Sequence, residues 1–498
     1  MEMFSLLYKH ENNEMWAEKP SFFLDLNIDQ IIDKISADWV EDIRELYYAL
    51  PADQETEDYR RAIFAEVKKE GILPVLMEFL ELMRQRTACM KRREKVEDAV
   101  QKHVWYIQEA ACYIEALEML RNKLGEFSFQ SEGMRGLIEL LAQGVSDEEY
   151  CAFKEEVLKL RDELVGFRML LTYEKDRFTV SEGTGKGAYE DFLSECFPGH
   201  NKMFKSPFMS STDISDLERE AIRVFRRGHK EFFDGAERFY KKHNKYAKEE
   251  VLLLQKEMAY YVAYLQFMLK MQENGFEFCT PAVSGDRLSA TGLYDLALAL
   301  TSLENEKKVV PNDVDLWSEE SFFVLTGPNQ GGKTTFARSL GQLVYFTKMG
   351  LDVPARAALV PYYKKILTHF SVEESVESGR GKLMDELMRL KPMMGDEQAG
   401  EFVVINELFT TAANYDACIM GKKVLEYFID KNCKGIYVTH LNELSNASPS
   451  VVSLRAAVDE NLMPTYIIQR SEAGELAGAN RQVEKYRLTY RQIKERFL

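Results

Sequence analysis

The spacing of hydrophobic residues divides this 498-residue chain into a helical first part and a mixed second part. From about residue 20 to about residue 275, apolar residues recur at helical intervals, and few glycines or prolines interrupt them. The longest such stretch, residues 216–271, contains no proline and is too long for one ordinary globular helix, so it predicts one or two long lever helices. Residues 92–124 and 147–171 are two further predicted helical regions.

The pattern changes after residue 280, where short β-branched and aromatic runs alternate with helical segments. The predicted strands are Phe322–Thr326, 365–370, Phe402–Asn406, 435–439 and 466–469. Strands separated by helices in this way favour layered α/β structure. We therefore predict an α-helical core with lever helices in residues 1–280 and an α/β domain in residues 281–498.

A glycine-rich stretch, FVLTGPNQGGKTTF, follows the first of these strands and matches the pattern G-x-x-x-x-G-K-[ST]. Glycines let successive backbone N–H groups turn toward an anion, and the helix that follows directs its positive end at the same place. Lys333 would meet the β- and γ-phosphates of a nucleotide, and Thr334 would meet a magnesium ion. The candidate nucleotide-binding residues are Gly327, Pro328, Asn329, Gln330, Gly331, Gly332, Lys333, Thr334 and Thr335.

An ordinary glycine-rich turn between a strand and a helix is the alternative interpretation of this stretch. With average glycine usage, a chance match is expected in only about one chain of this length in fifty. The apolar strand before the motif and the helix after it lower that chance further. The sequence therefore favours ATP binding with Mg²⁺.

Two other predicted strands end in polar residues that could complete such a site. EFVVINEL ends its apolar run at Asn406 and Glu407, where P-loop ATPases carry an acidic residue for magnesium and a glutamate that activates water. Glu407 fits the role of base, whereas Asn406 can hold a metal-bound water but brings no charge. GIYVTH ends in His440, which could contact the γ-phosphate at the carboxyl edge of the sheet. Polar strand ends of purely structural value are the alternative for all three residues.

The motifs GPNQGGKTT, SGRGKLMDEL, INELFTTAANYDA and THLNEL occur in this order between residues 327 and 444, and together they resemble the ATPase domain of the MutS DNA mismatch-repair family. The resemblance implies a helical core with lever helices followed by an ABC-type, MutS-like P-loop ATPase domain. It also implies a homodimer that uses ATP and Mg²⁺ to open or close a clamp around branched or mismatched duplex DNA. In that family the histidine matched by His440 is taken to sense the γ-phosphate.

Several positions depart from the family pattern. Asn406 stands in place of an aspartate, which should weaken magnesium binding, and Gly381 removes a hydroxyl from a segment thought to reach the partner's nucleotide. Val309 occupies the position of an aromatic residue that stacks on adenine. The family's mismatch-reading domain has no room before the helical core. These departures leave two alternatives to a DNA-dependent ATPase: an ATP-gated scaffold with little hydrolysis, or an ATPase that acts on structured RNA or ribosomes.

The charge balance neither requires nor excludes a nucleic-acid partner. The formal net charge is −17, so any binding to phosphates depends on a local basic face. One predicted lever region is rich in basic residues, which are Arg219, Arg223, Arg226, Arg227, Lys230, Arg238, Lys241, Lys242, Lys245 and Lys248. Acidic residues interleave with them, so a solvated helix face laced with salt bridges is an equal alternative.

Cysteine usage and hydropathy indicate the cellular compartment in which the protein is expected to lie. The seven cysteines are scattered singly without a C-x-x-C pair, which is typical of a reducing compartment and argues against a disulfide framework or a zinc site. No apolar run approaches twenty residues, and the N-terminal residues meet charge too early for a secretory signal. We therefore expect a cytoplasmic protein that does not span a membrane.

Overall fold

The computed structural model describes most of the chain and resolves it into two compact units. The described residues are 3–9, 18–39, 43–167, 169–174, 177–182, 223–283, 285–305, 308–371, 382–395, 399–461, 463–471 and 493–494. The first unit combines Met1–Lys68 with Tyr260–Leu498, and the second unit is Lys69–Ala259. The first 68 residues thus belong with the α/β part of the chain, which the sequence-based division at residue 280 did not anticipate.

Helices make up most of the described structure before residue 280. In chain order the helices are α1 (Phe22–Asp25), α2 (Ile28–Ser36), α3 (Arg44–Tyr48), α4 (Gln54–Val67), α5 (Ile72–Lys95), α6 (Ala99–Leu124), α7 (Glu132–Ser146), α8 (Glu148–Gly166), α9 (Lys230–Lys242), α10 (Glu249–Glu273), α11 (Leu296–Asn305), α12 (Lys333–Lys348), α13 (Lys382–Leu390) and α14 (Asn414–Asp430). Short 3-10 helices cover Lys391–Met394 and Asn442–Asn446. The prediction of a largely helical first part is confirmed for these residues.

Three predicted helical regions differ in detail from the structure. Residues 92–124 contain a break before α6, where the Asp98 carboxylate accepts a hydrogen bond from the Gln101 N–H at 3.0 Å and caps the new helix. The helix predicted for 147–171 ends at Gly166, and β1 (Met169–Glu174) then pairs with β2 (Arg177–Glu182), so that part of the prediction is wrong. The region 216–271 contains α9 and α10, while residues 216–222 lie outside the described part.

A six-stranded sheet forms the centre of the first unit. The remaining strands are β3 (Leu288–Leu293), β4 (Asn312–Leu316), β5 (Phe322–Thr326), β6 (Ala357–Leu359), β7 (Ile366–Phe370), β8 (Phe402–Asn406), β9 (Lys434–Val438), β10 (Val451–Val458) and β11 (Pro464–Arg470). The six-stranded order is β11-β10-β5-β9-β8-β7, with β11 antiparallel to β10 and the other pairs parallel. A smaller antiparallel sheet has the order β4-β3-β6.

Continuous apolar runs made the central strands predictable. Strands β5 and β8 have the predicted bounds, and every residue in them is buried, as expected of parallel strands covered on both faces. Strands β7 and β9 each begin or end one residue from the predicted bounds, and β11 contains the predicted 466–469. The sequence did not identify β10, in which Ser453 and Arg455 interrupt the apolar run.

Helix α12, which follows the glycine-rich loop, is largely buried and links the sheet to the first 68 residues. It packs against β7, β8 and β9. Near its end the Tyr345 hydroxyl donates to the Tyr47 carbonyl at 2.8 Å, and the Lys348 ammonium lies 2.5 Å from the Glu57 carboxylate. Gly341 fits so closely against Leu26 that an added Cβ would lie 2.5 Å from its Cδ2.

No helix among the described residues is both long enough and apolar enough to cross a bilayer.

Candidate nucleotide site

The glycine-rich loop runs from the end of β5 to the start of α12, and its backbone needs glycine at two positions. Gly327 has φ of +136° and Gly332 has φ of +85°. A Cβ added at Gly327 would lie 2.9 Å from the Cβ of Ala456 and 3.2 Å from its backbone N and O atoms. The loop therefore passes tightly over β10 and can keep this path only without a side chain there.

Lys333 lies at the first turn of α12 with its ammonium turned back into the loop. The Nζ atom donates to the carbonyls of Gly327 and Pro328, both at 3.0 Å. The residue is 5% exposed, and burial lowers the pKa of Lys333 while the charge of Glu407 opposes that shift. The cation thus has two neutral carbonyl acceptors beside the positive end of a helix, which is an environment that favours an incoming anion.

Thr334 and Asn406 bring two oxygen atoms together next to this lysine. The Thr334 hydroxyl donates to the Asn406 Oδ1 atom at 3.1 Å. Oxygen donors of this kind suit Mg²⁺, but both are neutral, and the described residues hold no cluster of three or more His, Cys, Asp or Glu side chains that could bind a metal. These residues fit a magnesium ion that arrives with a nucleotide rather than one held by the protein alone.

Glu407 and His440 meet because β8 and β9 are neighbours in the sheet. Asn406 pairs with Val438 in the parallel register, so the residues that follow both strands emerge at one edge. The His440 Nε2 atom lies 3.2 Å from the Glu407 Oε1 atom, and the two side chains are 47% and 31% exposed. A carboxylate with a histidine at hydrogen-bond distance has the reach and the solvent access that a general base needs.

A cavity of about 680 Å³ lies over the loop and joins these residues. Seven of the predicted loop residues line it, from Asn329 to Thr335, together with Glu407 and His440. Gly327, Pro328 and Asn406 lie behind this lining, where they contact Lys333 and Thr334. The volume is in the range of small-molecule sites.

Sequence reasoning missed the rest of the cavity. The residues that line it there are Leu293, Tyr294, Asp295, Leu298, Lys308, Val310, Asn312, Phe336, Ser339 and Tyr466. Most of these side chains are apolar or aromatic, in contrast to the polar loop. The lining therefore combines a polar loop suited to phosphates with side chains suited to a flat, partly apolar group such as a base.

Tyr466 supplies an aromatic ring to the cavity, whereas Val309, the position at which the family pattern has an aromatic residue, does not line it. Tyr466 has φ of +62°, and the Asn312 side chain donates to its carbonyl at 3.0 Å and accepts from the Ile468 N–H at 2.7 Å. The ring lies close to the loop, since a Cβ on Gly332 would be 3.3 Å from its Cδ1. No local signal in the sequence could have joined Tyr466 to residues more than 130 positions earlier.

Part of the predicted machinery falls outside the described residues. Residues 372–381 are among these, and they include the Ser378, Gly379, Arg380 and Gly381 positions expected to face a partner. The second half of the SGRGKLMDEL motif, residues 382–387, lies in α13, which is described.

Comparisons with known proteins give a consistent match over this region. Residues 323–476 match the family model for MutS domain V. The DNA mismatch repair protein MSH6 of Arabidopsis thaliana is 35% identical over 176 residues, which cover 34% of this chain and 13% of that protein. The DNA mismatch repair protein MutS of Shouchella clausii is 29% identical over 189 residues, or 35% of this chain and 22% of that protein. The aligned part spans less than a quarter of either relative.

Proposed function

The chain belongs to the MutS family through its domain V, and we propose that this domain binds Mg-ATP and hydrolyses it to ADP and phosphate. One observation carries the proposal: Lys333, Thr334, Glu407 and His440 converge on a cavity whose remaining lining is mostly apolar or aromatic. Phosphates would lie against the loop, and the base would lie toward Val310 and Tyr466.

Each polar group has a distinct task in this proposal. The loop N–H groups and the Lys333 ammonium bind the β- and γ-phosphates, and the lysine exchanges its two carbonyl partners for phosphate oxygens. Thr334 and Asn406 hold the Mg²⁺ that, when bound, offsets phosphate charge. Glu407 accepts a proton from the water that attacks the γ-phosphorus, and His440 orients the Glu407 carboxylate and faces the γ-phosphate.

The test is steady-state ATP hydrolysis by the purified chain, with and without branched DNA. Glu407→Gln keeps the size of the side chain but removes the base, so turnover should fall by roughly 100- to 1,000-fold. The dissociation constant of ATP should stay within about threefold of the wild-type value, because the phosphate contacts remain. Wild-type turnover that Glu407→Gln leaves unchanged would refute hydrolysis at this site, whereas stimulation by DNA would support a clamp.

A second candidate function is an ATP-gated scaffold that binds the nucleotide but turns it over slowly. The neutral pair Thr334 and Asn406 favours it, since a carboxylate would hold Mg²⁺ more strongly. We expect Asn406→Asp to lower the magnesium concentration for half-maximal turnover by about tenfold, or ~1.4 kcal/mol. The measurement is turnover as a function of free Mg²⁺, with Asn432→Asp as a control that adds the same charge at an exposed position before β9, outside the cavity lining.

Both functions imply the same wild-type site but different rates. A wild type no faster than Glu407→Gln, combined with an Asn406→Asp variant that turns over, would assign the chain to the scaffold class. An Asn406→Asp variant with unchanged magnesium dependence would show that this side chain does not reach the metal.

A homodimer and a nucleic-acid partner complete the proposal. In the second unit, Arg226 and Arg227 are exposed, whereas Lys241 and Lys242 form ion pairs with Glu237 and Glu156. The basic region therefore combines exposed arginines with a salt-bridged face, and Arg219 lies outside the described residues. Competition between linear duplex DNA, branched DNA and structured RNA would separate a DNA clamp from an ATPase that acts on RNA or ribosomes.

A further inference from the structure

The turn that follows β8 has an unusual backbone for residues with side chains. Glu407 has φ of +56° and Phe409 has φ of +61°, both in the left-handed region that non-glycine residues seldom adopt. Such a conformation persists only when surrounding contacts determine it. The contacts that hold this turn therefore also decide where the Glu407 carboxylate lies.

Two hydrogen bonds fix the ends of the turn. The Glu407 N–H donates to the Val438 carbonyl at 2.9 Å, which continues the pairing of β8 with β9. The Phe409 N–H donates to the Glu386 Oε2 atom at 3.1 Å. The second bond is the only one of the two made by a side chain, so it can be removed without changing the backbone partners of the sheet.

Glu386 lies on α13 and reaches the turn from the interior of the first unit. It is 4% exposed, and its backbone carbonyl lies 3.3 Å from the Nε2 atom of His369 on β7. Burial lowers the pKa of His369 to about 4, so the ring is neutral at neutral pH.

The side chains of the turn divide between the interior and the cavity. Leu408 and Phe409 are 3% and 2% exposed and pack in the core with Val403, Ile405 and other residues. Glu407 instead lines the nucleotide cavity. The turn is thus held by buried groups on one side, and it presents Glu407, the candidate base, to the cavity on the other.

We propose that Glu386 is a positioning residue that holds the 407–409 turn and thereby aims Glu407 into the nucleotide cavity. The inference rests on the proposed function, in which Glu407 acts as the base. Glu386 itself touches neither the nucleotide nor the water. Since a displacement of about 1 Å can cost about 100-fold in rate, a contact of this kind affects turnover far more than nucleotide affinity.

The experiment compares Glu386→Met and Glu386→Gln in the full chain. Methionine has similar volume but no strong acceptor, whereas the glutamine carbonyl can still accept from the Phe409 N–H. We expect Glu386→Met to lower kcat by about 10- to 100-fold with KM for ATP within about threefold of wild type. Glu386→Gln should retain most of the activity. In a Glu407→Gln background, Glu386→Met should cause no further loss, because the positioned group is already missing.

Amide hydrogen exchange of the peptide containing Phe409 gives a readout that does not depend on hydrolysis. Its protection should fall in Glu386→Met and persist in Glu386→Gln. Unchanged protection in Glu386→Met would overturn the inference, as would lost protection without lost turnover in an enzyme that requires Glu407. A parallel fall in kcat, ATP affinity and thermal stability would indicate a purely structural role and would also overturn it.

Failure of the proposed function has a different signature. In that case wild-type turnover would not depend on Glu407, and the exchange data alone would decide whether Glu386 holds the turn. A lack of protection in the wild type would then refute the inference as well.

Discussion

Lys333→Ala is expected to weaken Mg-ATP binding by at least about 100-fold. The Lys333 Nζ atom contacts two neutral carbonyls, so it can turn to phosphate oxygens without breaking an ion pair. Hydrogen bonds to charged groups contribute about 1.5–3 kcal/mol each, and two such bonds to phosphates account for the expected loss. Titration calorimetry with a slowly hydrolysed ATP analogue would measure it.

A matched control is Lys422→Ala, which removes an exposed lysine of α14 that forms a 3.7 Å pair with Glu426. It should bind ATP like the wild type and so account for any general effect of lost positive charge. Lys333→Ala should also keep its fold, since it removes a buried cation rather than an apolar side chain. Affinity within about threefold of wild type would exclude the loop as the phosphate site.

Glu57→Gln is expected to destabilise the first unit, because Glu57 on α4 and Lys348 on α12 form a buried ion pair. The two side chains are 2% and 3% exposed, and Lys348 also donates to the Tyr363 carbonyl at 2.8 Å. Burial raises the pKa of Glu57 to about 7, and Lys348 opposes that shift. Glu57→Gln would leave the Lys348 ammonium buried without its carboxylate. We therefore expect the free energy of unfolding of the first unit to fall by about 3–5 kcal/mol.

Chemical denaturation can report on the first unit alone. Trp105 lies in the second unit, so in a Trp16→Phe, Trp105→Phe background the remaining tryptophans, Trp39 and Trp317, follow the first unit. The control is Glu55→Gln, the same substitution on the same helix in an exposed pair with Lys9. It should cost less than about 1 kcal/mol.

The double variant Glu57→Leu with Lys348→Met distinguishes the contribution of the ion pair to stability from that of side-chain packing. It removes both charges together, so it should be more stable than Glu57→Gln. If Glu57→Gln cost no more than Glu55→Gln, the pair would behave as a solvent-exposed one, contrary to its burial.

The convergence of the loop with Glu407 and His440 could be predicted from sequence because its determinants are local or follow from strand polarity. The loop that contains Lys333 is one continuous motif, and the ends of β8 and β9 share an edge, which brings Glu407 to His440. The apolar and aromatic part of the cavity lining could not be predicted. It depends on Tyr466, which reaches the cavity only because β11 adds to β10 in antiparallel register.

The fold could be predicted from the sequence to about the same extent as the candidate site. Buried parallel strands can be recognised in a sequence as continuous apolar runs. Strand β10 was not predicted, because polar residues interrupt its apolar run at alternate positions. The place of the first 68 residues depends on contacts such as Tyr47 with Tyr345, which lie almost 300 positions apart. Hydrophobic periodicity predicts that such helices have a buried face, but it does not identify what buries it.

That arrangement of the first unit has a consequence for biosynthesis. Residues 1–68 leave the ribosome well before α12, whose Gly341 and Lys348 meet Leu26 and Glu57. The intervening second unit takes roughly 10–40 s to translate at about 5–20 residues per second. During that time the apolar faces of α2 and α4 lack their native cover. We therefore expect the newly made N-terminal segment to need chaperone protection until synthesis passes α12.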